Sequence, residues 1–285
     1  MKLGNIEINS LVMNAACSVA KSLDDVQLLA ATKIGAILVG SITVEARTGN
    51  LEPRWFTTAG YALNSFGMPN KGSTYYRQEL PKMIAITHEA DKKFVLSIAG
   101  FSTAEYVTLA ILANEAGVDL LELNLGCPNI SVEGRQKPIV SFDITTLNEI
   151  VAEVSKVTAI PLLLKLSPYS NPAELAQVAR AIADSNKVAA VVASNTFPNG
   201  FMLDGREPVI ASGLAGVSGR AMLPIALGQV KQFRELLPEN IAVIGVGGIE
   251  TSADAALYKQ AGAAMVQVAT LIVREGHAAI DKVIE

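Results

Sequence analysis

Val243-Ile-Gly-Val-Gly-Gly-Ile-Glu-Thr251 leaves an apolar run through a glycine turn and enters a helical pattern at Ser252. Glycines at such a turn let a phosphate reach the backbone N–H groups at the start of a helix. Val266-Gln-Val-Ala-Thr-Leu271 repeats the arrangement one apolar run later, with Ala269 and Thr270 at the turn. In (β/α)8 barrels the loops after the seventh and eighth strands are the habitual phosphate site. Two ordinary βα turns would read the same way, since glycine is common there, but a consecutive pair at the last two strands favours a phosphate site. There is no G-x-G-x-x-G followed by an acidic residue about 20 positions on, which argues against a dinucleotide site. Gly213-Leu-Ala-Gly-Val-Ser-Gly219 adds a third glycine-rich stretch, and plain loop flexibility explains it almost as well.

Working outward, the chain alternates short apolar runs with amphipathic stretches. The runs Leu11–Ala16, Ala36–Val39, Phe94–Ala99 and Leu120–Leu125 read as strands, followed by Pro161–Leu166, Ala189–Ser194, Ala242–Val246 and Met265–Ala269. Helical patterns occur at Leu23–Thr32, Tyr75–Ala90, Ala104–Ala116, Ile144–Val154, Pro172–Ala183, Pro224–Leu236, Ser252–Ala261 and Glu275–Ile284. Strands alternating with helices of this length call for parallel pairing and right-handed crossovers. Continuous apolar runs suit strands buried on both faces. Eight units predict a TIM barrel, an α/β fold occupying residues 1–285 as a single domain. Three long connections, Gly40–Ser73, Gly126–Asp143 and Thr196–Met222, all follow strands and belong on the C-terminal face, where long loops are usually functional.

Bulk properties narrow the function. At 285 residues the chain is long enough for such a barrel, and 50% apolar residues supply its core. A net charge of −4 argues against a nucleic-acid surface. Two cysteines, Cys17 and Cys127, are too few for a disulfide scaffold and lack zinc-ligand spacing, so no metal is expected. Without a signal-peptide core or an apolar run of about 18 residues, the expectation is a cytoplasmic enzyme that engages no membrane.

Glu122-Leu-Asn-Leu-Gly-Cys-Pro-Asn129 carries the most chemistry. Its cysteine sits at a strand's C-terminal end, between two asparagines able to donate to and accept from a planar amide. Cys127 is the candidate reacting group. Asn195-Thr196 ends the sixth strand as Asn124 ends the fourth, and amides from both suit an amide or imide ring, although asparagine also simply favours turns. Lys165 closes a buried strand, where an ammonium is costly without a partner. An anionic ligand would offset that cost, as would an ion pair with Glu122 on the neighbouring strand. Asn64-Ser-Phe-Gly-Met-Pro-Asn70 offers polar groups with two covering side chains, or is just a structured surface loop. His88 and His277 lie within helical patterns and receive no role.

These pieces together resemble the dihydroorotate dehydrogenase family, specifically its soluble fumarate-reducing class. The likeness runs through nearly the whole chain and is sharpest at Arg47–Arg54, Asn64–Asn70, Asn124–Asn129 and Ile244–Thr251. Asn-x-x-Cys-Pro alone also occurs in tRNA-dihydrouridine synthases, but their basic surface is not evident in this acidic chain. The resemblance implies FMN across the barrel mouth. Its phosphate would rest on Gly219, Gly247, Gly248, Ala269 and Thr270. Lys165 would face the N1/O2 edge of the ring, with Ala16, Gly40, Ser41, Asn124 and Ser194 along the ring and ribityl chain. Substrate would be held by Asn64, Ser65, Phe66, Gly67 and Met68 together with Asn124, Asn129, Asn195 and Thr196. Cys127 as thiolate would take a proton from dihydroorotate while the flavin takes the hydride, with Lys165 nearby to favour the thiolate. Fumarate is the implied electron acceptor, and a homodimer the implied assembly.

Three departures from the family pattern stand out. Gly40 occupies the place of a lysine expected after the second strand, and Lys21 after the first strand could reach the mouth instead. Gly126 stands where a serine usually precedes the cysteine. The loop 130–138 is longer than usual and brings Arg135 and Lys137 as further cations. All three lie on the substrate side, so other dihydropyrimidines or cyclic enone-like compounds are alternative substrates. A flavin-binding module without catalysis, or a flavin-free phosphate barrel acting as isomerase or aldolase, are the remaining alternatives.

Overall fold

The computed structural model describes residues 2–132 and 135–284. Glu133 and Gly134 of the long loop lie outside the described residues, as do the side chains of 131–136, Arg135 among them.

Eight parallel strands close into a barrel: β1 (Val12–Asn14), β2 (Ala36–Ile42), β3 (Lys93–Ile98), β4 (Leu120–Asn124), β5 (Leu162–Leu166), β6 (Val188–Ala193), β7 (Ala242–Val246) and β8 (Met265–Val268). They follow one another in chain order around the ring, and β8 pairs with β1 to close it. The expected strands are thus all present, with no end shifted by more than three residues. Where β1 leaves β2, the Asn14 amide substitutes for ladder bonds. It donates to the Leu38 carbonyl at 2.7 Å and accepts from the Leu38 N–H at 2.9 Å.

Helices α1 (Leu23–Ala30), α2 (Gly72–Glu89), α3 (Thr103–Ala116), α4 (Ile144–Val157), α5 (Pro172–Ser185), α6 (Leu223–Leu236), α7 (Ser252–Gln260) and α8 (Thr270–Glu275) pack around it. Five starts are fixed by side-chain caps: Ser22 and Thr251 each form a capping box on α1 and α7, and Ser102, Asp143 and Asn171 cap α3, α4 and α5. The helix expected at Glu275–Ile284 is different. Gly276 at φ +89° ends α8, and a 3-10 helix spans His277–Val283.

Strand parity writes the site. Side chains alternate across each strand, so every second residue points into the barrel. One apolar cluster lies between strands and helices, and a second fills the barrel interior, including Met13, Leu38, Val95, Leu120, Leu163 and Met265. Leu3 and Ile8, around an N-terminal hairpin of Lys2–Leu3 and Ile6–Glu7, belong to the interior cluster. Two residues further along four of the strands the same parity delivers polar side chains: Ser97 after Val95, Glu122 after Leu120, Lys165 after Leu163 and Gln267 after Met265. The interior is therefore apolar at the N-terminal end and polar at the mouth.

The long connections also build something the strand pattern did not announce. Phe197–Gly200, Ala215–Ser218, Ala62–Asn64 and Trp55–Thr57 form a four-stranded antiparallel sheet. It carries its own small core of Leu63, Ile210 and Ala215.

Candidate active site

One cleft at the C-terminal mouth gathers Ala16, Gly40, Ser41, Asn64, Phe66, Gly67, Met68, Asn124, Cys127, Asn129 and Lys165, with Ser194, Asn195, Thr196, Ala269 and Thr270. It runs into a second pocket lined by Gly219, Gly247 and Gly248, and the two share Ser194, Asn195, Thr196, Ser218, Val246, Ala269 and Thr270. Every residue expected at the site lines one of the two except Ser65. That hydroxyl is buried behind the wall, accepting from Asn50 Nδ2 at 2.9 Å and from Ser212 Oγ at 2.8 Å.

The glycine end is shaped for an anion. Gly219, Gly247 and Gly248 adopt φ of +76°, +138° and +70°, which only glycine takes without strain. A Cβ on Gly248 would stand 2.8 Å from the Leu223 backbone nitrogen, so the turn seats directly on the start of α6. Arg220 braces it by donating to the Gly248 carbonyl at 3.2 Å and to Asp254 of the α7 capping box at 2.5 Å. Between the two ends, Thr196 Oγ1 is buried without a hydrogen-bond partner, the only such side-chain atom among the described residues. Buried hydroxyls are normally paired, so this one fits a polar ligand atom.

At the other end the amides come in pairs. Asn129 Nδ2 donates to Asn64 O at 2.9 Å and to its Oδ1 at 3.2 Å. Asn195 Nδ2 donates to Asn124 Oδ1 at 3.3 Å, and Asn124 Nδ2 to Ser41 Oγ at 2.8 Å. The Asn64–Met68 segment is held from behind: Arg47 Nε donates to Gly67 O at 3.1 Å, and Asn50 Nδ2 reaches Asn129 O at 3.2 Å. Arg54 braces Thr48 O at 3.1 Å. Arg47 and Arg54 are thus supports of the site wall.

Cys127 is partly open to the cleft. Burial pushes its thiol above the usual range, opposed by the Asn129 backbone N–H and by the charges of Lys21, Arg47 and Lys137. Lys165, the cation expected to favour the thiolate, acts on Cys17 instead. Burial lifts Cys17 to about 11. Lys137 does not line the cleft; its ammonium donates to Gly100 O at 2.7 Å and lies 4.9 Å from the Phe101 ring centre.

Lys21 does line the cleft, and its ammonium makes one hydrogen bond among the described residues, to Pro69 O at 2.5 Å. Burial lowers it to about 8, opposed by the nearby thiols of Cys17 and Cys127. Gly40 cannot share this duty. Its φ is +128°, and a Cβ there would sit 2.3 Å from Ser97 O. Gly126 is equally closed, with a Cβ position 2.6 Å from the Ser167 nitrogen.

Lys165 and Glu122 form no direct ion pair among the described residues. Lys165 Nζ donates to Gln267 Oε1 at 2.8 Å, and Gln267 Nε2 donates to Glu122 Oε2 at 2.8 Å. Sequence reading passed over Gln267, yet it carries the signal that marked Lys165: a polar residue inside an apolar strand. Trp55 and Ser218 of the small antiparallel sheet, Val273 of α8 and Ser18 also line the cleft, and none of them stands in a motif that marks it.

A reactive mouth and an anion cradle on one face of a closed parallel barrel place the chain among the (β/α)8 barrel enzymes. Its membership is narrower than that: the chain belongs to the dihydroorotate dehydrogenase family, whose model matches residues 1–285. It is 34% identical to a protein of Trypanosoma cruzi named dihydroorotate dehydrogenase (fumarate), over 93% of this chain and 84% of the relative. A protein of the same name from Trypanosoma brucei brucei is 33% identical over 95% of this chain and 86% of its own length. No helix among the described residues is long and apolar enough to cross a membrane, and no group of three metal-ligating side chains occurs among them.

Proposed function

We propose that this chain is an FMN-dependent dihydroorotate dehydrogenase, oxidising dihydroorotate to orotate for pyrimidine biosynthesis with fumarate as electron acceptor. The observation that carries the reading is the continuity of the Cys127 cleft with the glycine cradle, which suits a long ligand with a ring at one end and a phosphate at the other. Gly219, Gly247, Gly248, Ala269 and Thr270 would hold the phosphate of FMN. The orphan Thr196 hydroxyl and the buried Lys165 ammonium both fit polar atoms of this cofactor or its substrate. When bound, FMN supplies the two-electron redox chemistry, accepting the hydride lost from the CH–CH bond.

The chain's own residues do the rest. Cys127 takes the proton from the carbon alpha to the substrate carbonyl, as thiolate and general base. The Asn64–Asn129 and Asn124–Asn195 pairs orient the ring's amide and imide edges, so the proton to be removed lies at the sulfur. Lys21 anchors the substrate carboxylate. Its donors are spent only once on protein, and it enters the cleft where Gly40 admits no side chain. Lys21 also opposes the burial of the Cys127 thiol, so one cation favours both the bound anion and the active base. Phe66, Met68 and Trp55 cover the ring and limit water.

In this reading the protein works in the cytoplasm as a single barrel domain. A homodimer is supported by the exposed run Phe201, Met202 and Leu203, an apolar surface that a second copy would cover. The test is steady-state orotate formation by FMN-loaded protein with fumarate present, beside Cys127→Ser. Orotate formation that the variant loses while keeping FMN is expected; equal rates in both would overturn the role of Cys127.

A further inference from the structure

Glu122 is a fully buried carboxylate that the proposed chemistry does not use. Its two oxygens end two hydrogen-bond chains whose direction can be worked out. On one side Lys165 donates to Gln267, and Gln267 donates to Glu122 Oε2, each at 2.8 Å. On the other, Ser97 Oγ donates to Glu122 Oε1 at 2.9 Å. Ser97 has a single hydroxyl proton and spends it there, so its 2.9 Å contact with Ser41 must run from Ser41 to Ser97. Asn124 Nδ2 then donates to Ser41 Oγ at 2.8 Å, and Asn195 Nδ2 to Asn124 Oδ1 at 3.3 Å. Every donor converges on Glu122, from β5 and β8 on one arm and from β2, β3, Asn124 at the end of β4 and Asn195 on the other.

We propose that Glu122, with Gln267 as its amide spacer, is a positioning residue that sets the charge of Lys165 and the orientation of Asn124 together. The Gln267 amide is polarised one way only: oxygen toward an ammonium, nitrogen toward a carboxylate. Interposing it keeps Lys165 from a direct ion pair, which leaves two of its three N–H donors without a protein acceptor among the described residues. The carboxylate still supports the charge from a distance; it is the main group opposing the burial that lowers the Lys165 ammonium, and the Cys17 thiol is the other facing it. The inference rests on the FMN reading, in which negative charge develops beside Lys165 when the bound cofactor is reduced.

The variant Glu122→Gln tests it because an amide accepts on one side and donates on the other, so one of the two converging chains must fail. Gln267→Met breaks the lysine arm alone, and Ser97→Ala the asparagine arm alone. The readouts are the midpoint potential of bound FMN and the KM for dihydroorotate. Gln267→Met is expected to weaken the preference for reduced over oxidised cofactor about tenfold, a potential about 30 mV lower for a two-electron couple, with KM unchanged. Lowering the pH should narrow the gap to the parent's potential measured at the same pH, as Lys165 regains its proton. Ser97→Ala should leave the potential alone and raise KM. Glu122→Gln should lower the potential whichever chain fails, because the carboxylate charge that supports Lys165 is gone. Potentials in Gln267→Met equal to or above the parent's would overturn the proposal, and that variant decides if Glu122→Gln fails to fold. Parent protein that takes up no FMN would instead overturn the functional reading.

Discussion

Replacing Lys21 by methionine should stabilise the ligand-free protein and cripple its substrate binding. Methionine matches the unbranched stem and brings no charge. Burial lowers the Lys21 ammonium from 10.5 to about 8, which sets an upper bound of about 3 kcal/mol on the cost of keeping it charged. Partial solvent exposure discounts this to about 1–2 kcal/mol at neutral pH. The pH window follows from the sign of the shift. The folded value lies below the unfolded one, so between about 8 and 10.5 the unfolded chain binds more protons and the parent gains stability as pH rises. The advantage of Lys21→Met is therefore full below about pH 8 and fades toward 10.5. Against that, a hydrogen bond from a cation to a buried carboxylate contributes about 1.5–3 kcal/mol, so KM for dihydroorotate should rise about 10- to 150-fold. Urea unfolding at two pH values and steady-state kinetics read both effects. A variant less stable than the parent at pH 7, or one with unchanged KM, would refute the assignment of Lys21 as an anion site.

Other expectations are separable. Cys127→Ser should lower kcat about 10²- to 10⁴-fold with FMN retained, read by turnover and the flavin absorbance band. In the parent, kcat should climb with pH beyond the ordinary thiol value of 9.0, because burial raises Cys127, while KM worsens above about pH 8 as Lys21 loses its charge. Gly40→Lys should not rescue Lys21→Met. Its Cβ would meet Ser97 O at 2.3 Å, and the strained backbone should cost about 1–3 kcal/mol, visible as a lower Tm. Thr196→Val removes the buried hydroxyl that lacks a partner; the ligand-free protein should be as stable as the parent or about 1 kcal/mol more so, and should hold FMN less tightly.

The parts of the fold legible in the sequence were those set by local pattern. Each barrel strand is a mostly apolar run flanked by a helical repeat, and the expected ends lie within three residues of the observed ones. The four-stranded antiparallel sheet was not legible. Its members are three or four residues long, and Leu63 pairs with Val217 across a separation no periodicity reports. The last helix was misplaced because helical spacing continues through Gly276, whose φ of +89° breaks it. At the site, the residues carried by motifs came together, with Ser65 turned into the wall by Asn50 and Ser212. Strand parity turns Ser97, Glu122 and Gln267 inward with Lys165, but which groups meet across a closed barrel depends on its stagger, which no strand shows by itself. That is why an ion pair was weighed for Lys165 and an amide spacer found.

The central claim is that the Cys127 cleft and the glycine cradle together oxidise dihydroorotate through bound FMN. The most direct test is the anaerobic absorbance spectrum of FMN-loaded protein before and after dihydroorotate is added, with no electron acceptor present. The account predicts rapid bleaching of the flavin band at a rate that rises with pH. A yellow protein that stays yellow would contradict dihydroorotate as substrate, and a protein that takes up no FMN would contradict the cofactor as well.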